Sequence, residues 1–350
     1  MTFDKRRLAG AEMGYAVDRK RIAGELRPIV ASEAQGPAVV FEGPDLEPRV
    51  LATEPGGTMG FAEVPGRDDA LFVITGFYPV FKAESAGIHL YRATDGLARP
   101  WSGERVIDLP FVHRILTVSG GGRDYLVAAT VCGGKDRADD WSRPGTVFVY
   151  EIGGGLDGPW TARPVLESIH RNHGLGTGVV DEVASVLVSG TEGVFALALP
   201  GETDGDGKAV EPWRAVRLID HEVSELGLID LDGDGEDELV TVEPFHGDEL
   251  SAYKRGASGW GKVYSSELAF GHGLTVGRLN GEPVAVVGNR AGSKDLVCFR
   301  VASTDPLRLE PVVVDHGAAT AGTTITPTAR GDAIVSSNPE FAEYALYVAK

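Results

Sequence analysis

Seven similar segments recur along this 350-residue chain at intervals close to 50 residues. Each opens a short strand, which is followed by a turn, a more apolar strand and one or two further strands. The openings are Met13, Met59, His113, His173, His221, His272 and His316. They lie 46, 54, 60, 48, 51 and 44 residues apart, which matches the ~40–50 residues of common propeller blades. The layout predicts an all-β protein, a single seven-bladed β-propeller of four-stranded antiparallel blades over residues 1–350. Six blades with an irregular N-terminus is the alternative.

The two ends of the chain complement each other in this arrangement. The last repeat runs out at Ala345 to Ala349 after only three strands, whereas Thr2 to Leu8 precede the first opening without a blade of their own. A closed ring leaves only short, protected strand edges. We therefore expect the N-terminal segment to pair with the last blade and complete it.

Charge and composition limit the classes of partner. The net charge of −18 argues against nucleic acid and anionic membrane, because both require basic surface. The N-terminus lacks the apolar core of a signal peptide, and no run approaches the ~20 apolar residues of a membrane span. Two cysteines make a disulfide framework improbable. These features predict a cytoplasmic protein with a small-molecule partner.

One loop, between two predicted strands, carries alternating carboxylates and glycines. Asp230, Asp232, Asp234 and Glu238 would offer the oxygen ligands that Ca²⁺ prefers. The string LIDLDGDGEDELV resembles the FG-GAP or VCBS repeat of propeller blades. The resemblance implies that these four side chains, with the backbone carbonyl of Glu236, bind a structural Ca²⁺. The alternative is an acidic hairpin turn that binds nothing.

Histidine is concentrated at the blade openings. Five of the eight histidines stand at the same offset, namely His113, His173, His221, His272 and His316. Because the first strand of each blade lines the central axis, we expect these imidazoles to meet around one mouth of the channel. Neutral imidazole is the commonest metal ligand and titrates near neutrality. The pattern therefore predicts a divalent metal held by His173, His221, His272 and His316, with His113 free for proton transfer. In the alternative, each histidine only bonds the backbone of a neighbouring blade.

Loops between second and third strands should surround the same mouth, which makes it the default ligand site. Their candidates for proton transfer are His246, Glu243 and Tyr78. Their candidates for substrate binding are Lys135, Arg290, Asn289, Glu192 and Asn338. The two cationic side chains among them, Lys135 and Arg290, could hold a carboxylate.

The ring of axial histidines is similar to that of propeller lyases and dehydratases, such as rhamnosyl-glucuronate lyases and aldos-2-ulose dehydratases. This resemblance implies β-elimination or isomerisation of a sugar or uronate, with a metal or Arg290 stabilising the enolate-like charge. A glycoside hydrolase is one alternative, in which Glu243 would pair with Glu192 or Glu340. A non-catalytic propeller that binds a sugar or a protein is the other.

Overall fold

The computed structural model describes residues 1–53, 56–79, 82–153, 156 and 158–350. Its strands form seven four-stranded antiparallel sheets, and each sheet is one blade. The first blade contains β2 (Gly14–Ile22), β3 (Glu25–Ser32), β4 (Ala38–Glu42) and β5 (Glu47–Ala52). The second contains β6 (Gly60–Val64), β7 (Arg67–Thr75), β8 (Gly87–Arg92) and β9 (Ser102–Asp108). The third contains β10 (Val112–Gly120), β11 (Arg123–Thr130), β12 (Gly145–Ile152) and β13 (Arg163–Ile169).

The remaining blades follow in chain order. The fourth contains β14 (Gly174–Val180), β15 (Val183–Gly190), β16 (Gly193–Ala198) and β17 (Ala215–Ile219). The fifth contains β18 (Glu225–Ile229), β19 (Glu238–Glu243), β20 (Glu249–Gly256) and β21 (Gly259–Glu267). The sixth contains β22 (Gly271–Leu279), β23 (Glu282–Asn289), β24 (Leu296–Thr304) and β25 (Leu307–Asp315). The seventh contains β26 (Gly322–Thr328), β27 (Gly331–Asn338), β28 (Glu343–Ala349) and, as its outermost strand, β1 (Phe3–Gly10); a short 3-10 helix, Pro339–Phe341, joins β27 to β28.

The innermost strands form a closed ring around the axis. Each contacts its neighbours in the order β2, β6, β10, β14, β18, β22 and β26, and β26 returns to β2. The N-terminal strand closes the ring by pairing antiparallel with β28, from Phe3 opposite Ala349 to Gly10 opposite Glu343. The predicted seven-bladed propeller and its mode of closure are therefore confirmed, and the six-bladed alternative is wrong.

The core lies between the faces of adjacent blades. The middle strands read as continuous apolar runs because neighbouring blades cover both of their faces. In β7, Leu71 to Ile74 are all at most 2% exposed. Leu71 and Val73 pack with Ile29 of the first blade, whereas Phe72 packs on the opposite face with Leu126 of the third. No helix in the described ranges is long and apolar enough to cross a membrane.

Two of the predicted blade openings are displaced along the chain. His113 and His272 are the second residues of β10 and β22, but β18 begins four residues after His221 and β26 six residues after His316. Before these two strands the chain runs through buried lead-in segments that contain Val223 and Ala318, both fully buried. The extra residues leave the two preceding histidines outside the ring of inner strands.

Candidate functional site

Four imidazoles converge at the end of the channel where the inner strands begin. His113 and His272 lie on β10 and β22, His173 directly precedes β14, and His246 lies in the loop between β19 and β20. The ring centroids of His113 and His173 are 4.6 Å apart, and those of His246 and His272 are 5.0 Å apart. We call these four side chains the histidine cluster. Four consecutive blades, the third to the sixth, thus contribute one imidazole each.

Three members of the histidine cluster are arranged as metal ligands. Ring nitrogens of His173, His246 and His272 all lie within 4.8 Å of one another. The Nε2 atoms of His173 and His246 are 3.4 Å apart. Two nitrogens that bind one tetrahedral zinc at about 2.1 Å stand about 3.4 Å from each other. The spacing therefore suits a shared divalent ion.

The outer nitrogens of two of these rings face acceptors. His272 Nδ1 donates to the backbone carbonyl of Ala321 at 2.7 Å. His173 Nδ1 faces the carboxylate of Glu225, 3.5 Å from Oε1. A metal-binding histidine usually directs its other ring nitrogen to a carbonyl or carboxylate, because this fixes the tautomer that leaves the ligand nitrogen free. The surroundings of these residues therefore also fit a metal.

Burial keeps the histidine cluster neutral. Removal from water, reinforced by the Arg114 charge, holds the pKa of His113 and that of His173 well below the ordinary range. Burial together with the neighbouring His246 does the same to the pKa of His272. Burial and the charge of Arg290 lower the pKa of His246 to about 3. Neutral imidazoles have the lone pair that metal binding or proton abstraction requires.

Tyr15 completes the site from the first blade. Like His113 and His272, it is the second residue of its inner strand, here β2. Its hydroxyl lies 3.2 Å from His113 Nε2 and 3.5 Å from His272 Nε2. Burial raises the pKa of Tyr15, so the phenol is protonated at neutral pH. Tyr15 and His113 form a donor and acceptor pair beside the three potential metal ligands.

The histidine cluster forms the floor of a cavity of about 100 Å³, which we call the axial mouth. Besides Tyr15 and the histidine cluster, its lining residues are Glu33, Met59, Phe77, Val131, Trp141, Phe245 and Arg290. Most of them come from loops between second and third strands, which the sequence predicted to lie at this mouth. The surface is therefore apolar and aromatic around a few polar groups, as in the lining of small-molecule sites, and the volume of the cavity is below the ~300–1,000 Å³ of typical ligand pockets.

Cations surround the axial mouth although the chain as a whole is strongly acidic. Arg290 lines the cavity. Arg171 Cζ is 5.4 Å from the ring centroid of Phe245, and Lys135 Nζ lies 3.1 Å above that of Trp141. Both contacts are cation–π interactions. Glu222 pairs with Arg171 at 2.9 Å, so Arg290 is the rim cation that most favours a ligand carrying negative charge.

Beneath the histidine cluster, the channel continues as a second cavity of about 220 Å³ on the opposite side. Glu225, Arg114 and His173 line it, and the Arg114 guanidinium lies 3.9 Å from Glu225. The histidine cluster thus separates the axial mouth from this lower channel. The sequence patterns did not identify Tyr15, Glu225 or Arg114 as site residues. Their positions at or next to the strand openings are the signal that could have identified them.

His221 and His316 do not join the histidine cluster, so their predicted place at the axis is wrong. The side chain of His316 is 82% exposed and contacts Asp295. His221 is half-exposed and contacts Glu243, with 2.5 Å between Nε2 and Oε2. Glu243 itself is buried near Tyr253, away from the axial mouth that it was expected to line. Both histidines lie away from the axis because the innermost strands of their blades begin four and six residues further along the chain.

Four other loop candidates lie outside the lining of the axial mouth. Both ends of the Asn289 amide bind backbone atoms of neighbouring loops. Asn338 is fully buried and bonded to Thr320 and other core side chains, so its role is structural. Glu192 accepts hydrogen bonds from His170, and Tyr78 is exposed. Among the predicted loop residues, His246 and Arg290 line the cavity and Lys135 stands beside it, on Trp141.

The acidic loop brings together three of the four side chains predicted to bind Ca²⁺. Ligand oxygens of Asp230, Asp232 and Asp234 lie within 4.8 Å of one another. Glu238 is fully buried beside them, and its Oε1 makes no hydrogen bond among the described residues. The Lys254 ammonium contacts Asp232, lies 2.6 Å from Asp234 and 3.4 Å from Glu238. A side-chain cation therefore balances part of the negative charge of the loop.

Comparison with known proteins supports the fold. No protein-family model and no curated protein matches the sequence. Among solved structures, the chain is similar to the β-propeller domain of Cps50 (Swd1) from Myceliophteria thermophila. The two are 9% identical over 99% of this chain and 100% of that one, with a TM-score of 0.59. At this identity the likeness shows the propeller fold alone.

The depressed pKa values predict a specific acid sensitivity. The folded-state pKa of His246, about 3, lies below the ordinary value of about 6.5. The unfolded chain therefore binds the extra proton first, and stability falls as the pH drops through about 6.5. Lowering the pH from about 7.5 to about 5.5 should cost about 1.4 kcal/mol for this residue. His246→Phe preserves the stacking on Phe245 and Phe270 and should remove the part of the pH-dependent loss of stability that His246 causes.

Urea unfolding of metal-free protein at both pH values measures the effect. The variant should lose about 1.4 kcal/mol less than the wild type between the two conditions. An equal loss in the two proteins would show that His246 is not held neutral in the folded state.

Proposed function

We propose that this protein is a metal-dependent carbon–oxygen lyase that acts on a uronate or a related hydroxylated carbonyl compound at the axial mouth. One observation carries the proposal. Three neutral imidazoles with the spacing of metal ligands adjoin a hydrogen-bonded Tyr15 and His113 pair in one cavity. A purely structural role would not require ring nitrogens of separate blades to face each other at 3.4 Å.

The metal would be held by His173, His246 and His272. A divalent cation there would supply positive charge next to the oxygen on which an enolate develops. The three residues can leave coordination positions open toward the axial mouth, which is typical of catalytic rather than structural sites. The predicted ligand set is thereby revised, because His246 replaces His221 and His316.

Tyr15 and His113 have the arrangement that an elimination needs. The neutral imidazole of His113 would remove the proton on the carbon next to the carbonyl, and the electron pair of that C–H bond would form the new double bond. The carbon–oxygen bond would then break, and the Tyr15 hydroxyl would give its proton to the departing oxygen. Return of a proton from His113 to Tyr15 across their 3.2 Å contact would restore both groups.

The cationic rim supports an anionic substrate. Arg290 lines the axial mouth and makes no ion pair within 4 Å among the described residues. Glu33 lines the same cavity, and burial raises its pKa although the charge of Arg290 offsets part of that rise. An arginine available in a partly apolar cavity is a suitable partner for a carboxylate. We therefore favour a uronate over a neutral sugar.

The alternatives receive less support. A glycoside hydrolase needs two apposed carboxylates, but Glu243, Glu192 and Glu340 lie near His221, His170 and Lys294 respectively. Glu33 is the one carboxylate among the described residues that line the axial mouth. A non-catalytic sugar- or protein-binding propeller accords with the fold. It leaves the ring nitrogens and the Tyr15 contact without a purpose.

We further propose that the acidic loop binds a structural Ca²⁺. Its donor set fits, because oxygens of three aspartates converge, and the buried Glu238 next to them has one oxygen, Oε1, without a hydrogen-bonding partner among the described residues, 3.4 Å from the Lys254 ammonium. The side chain of Lys254 would have to leave Asp232 and Asp234 when the ion enters. Lysine and calcium would thus compete for the same oxygens.

Metal analysis tests the first requirement of the lyase. Purified wild-type protein should retain about one equivalent of Zn²⁺, Mn²⁺ or Fe²⁺ by mass spectrometry, because three neutral imidazoles suit these ions. His246→Phe should lose it, whereas the same substitution at the exposed His316 should not. Wild-type protein that retains only Ca²⁺ would refute the metal-dependent lyase and favour the binding propeller.

Turnover separates proton transfer from metal binding. Against a panel of uronate oligosaccharides, the wild type should generate an unsaturated product detectable by its ultraviolet absorbance. Tyr15→Phe should keep the metal but lower kcat by about 10²–10⁴-fold, the usual contribution of a general acid. Full activity of this variant would remove Tyr15 from the mechanism.

Calcium dependence tests the acidic loop. In Lys254→Met the competing ammonium is gone, so Ca²⁺ should stabilise this variant more than it stabilises the wild type. At free Ca²⁺ of about 100 times Kd the gain should be about 2.7 kcal/mol. Thermal unfolding with Ca²⁺ or with a chelator measures it. Adding Asp232→Asn to the variant should abolish the gain, and no gain in Lys254→Met would contradict calcium binding.

A further inference from the structure

A buried carboxylate, Glu225, supports the histidine cluster from the side opposite the axial mouth. It is the first residue of β18 and is 7% exposed. Its Oε1 lies 3.5 Å from His173 Nδ1 and 3.8 Å from His272 Nδ1. It lines the lower channel but not the axial mouth. Glu225 therefore reaches only the outer nitrogens of these two rings.

The backbone of the next blade fixes the position of Glu225. Gly273 N–H donates to Oε1 at 3.2 Å, and Leu274 N–H donates to Oε2. Arg114 adds a positive charge 3.9 Å away. A carboxylate held in this way by β22 cannot turn aside without loss of two backbone hydrogen bonds. It is a fixed point against which a neighbouring ring can orient.

The two rings depend on Glu225 to different degrees. His272 Nδ1 already donates to the Ala321 carbonyl, so its tautomer is set without help. His173 Nδ1 is buried and makes no hydrogen bond to any described residue, and the Glu225 carboxylate is the group that faces it. Glu225 is therefore the group that can fix the orientation of the His173 ring.

We propose that Glu225 is a positioning residue that keeps the proton of His173 on Nδ1 and so directs the Nε2 lone pair toward His246 and His272. The inference rests on the proposed metal site and assigns the residue that sets its affinity. Carboxylates in this position orient the imidazole and raise its basicity, and their loss typically weakens metal binding about 10–100-fold.

Glu225→Gln tests the proposal, because the amide oxygen can still accept a backbone N–H but carries no charge. Glu243→Gln is the matched control. Glu243 is a comparably buried glutamate on β19 of the same blade and contacts His221 rather than the histidine cluster. Zn²⁺ affinity is measured by competition with a chromophoric chelator. The tautomers of His173 and His272 are read from imidazole nitrogen shifts by NMR in metal-free protein.

The expected result is specific to one variant and one ring. Glu225→Gln should weaken Zn²⁺ binding about 10–100-fold and should lose the single Nδ1–H tautomer of His173. His272 should keep its tautomer, and Glu243→Gln should match the wild type in both measurements. If Glu225→Gln does not fold, Glu225→Asp keeps the charge, withdraws it by one methylene and should show the same changes to a smaller degree.

The two proposals fail in distinguishable ways. Wild-type affinity and an unchanged His173 tautomer in Glu225→Gln would overturn the role of Glu225 and leave the metal site intact. Equal losses in Glu225→Gln and Glu243→Gln would also overturn it, since a general effect on the blade would then explain them. Absence of Zn²⁺ binding by the wild type would refute the metal site and the effect of Glu225 on affinity together.

Discussion

Closure of the ring is the constraint on which the rest of this structure depends. The pairing of β1 with β28 joins the two ends of the chain, and each inner strand then contacts two neighbours. Only in a closed ring are the openings of β2, β10 and β22 held at fixed distances across the axis. Tyr15, His113 and His272 occupy equivalent positions on those strands. These three residues, far apart in the sequence, thus meet through the strands alone, and the loop between β19 and β20 adds His246.

The histidine cluster is costly to the fold, which is an argument for function. Each imidazole that stays neutral inside the protein lowers the free energy of unfolding once the pH falls below about 6.5, because the unfolded chain then binds a proton that the folded protein does not. Apolar side chains would fill the same space without that cost, and Phe77 and Phe245 already do so nearby. Polar groups that are retained at the floor of a cavity, next to Tyr15 and Arg290, are better explained by chemistry than by packing.

The sequence predicted the architecture better than the site. Blade number and closure followed from the spacing of short strands and from complementary ends, since both reflect the length of a blade. His221 and His316 were misplaced because a few buried lead-in residues shift the start of a strand, and strand patterns do not reveal such insertions. Glu225 and Tyr15 were missed because neither belongs to a recognisable motif. Their proximity to the histidines arises only when the blades close around the axis.

The central claim is that His173, His246 and His272 bind one metal ion at the axis. X-ray absorption at the zinc edge of the Zn²⁺-loaded protein tests it most directly, because it reports the number and type of atoms bound to the ion. We predict three imidazole nitrogens at about 2.0–2.1 Å, with one or two further light atoms facing the axial mouth. A shell of oxygens alone, or spectra unchanged in His246→Phe, would contradict the account.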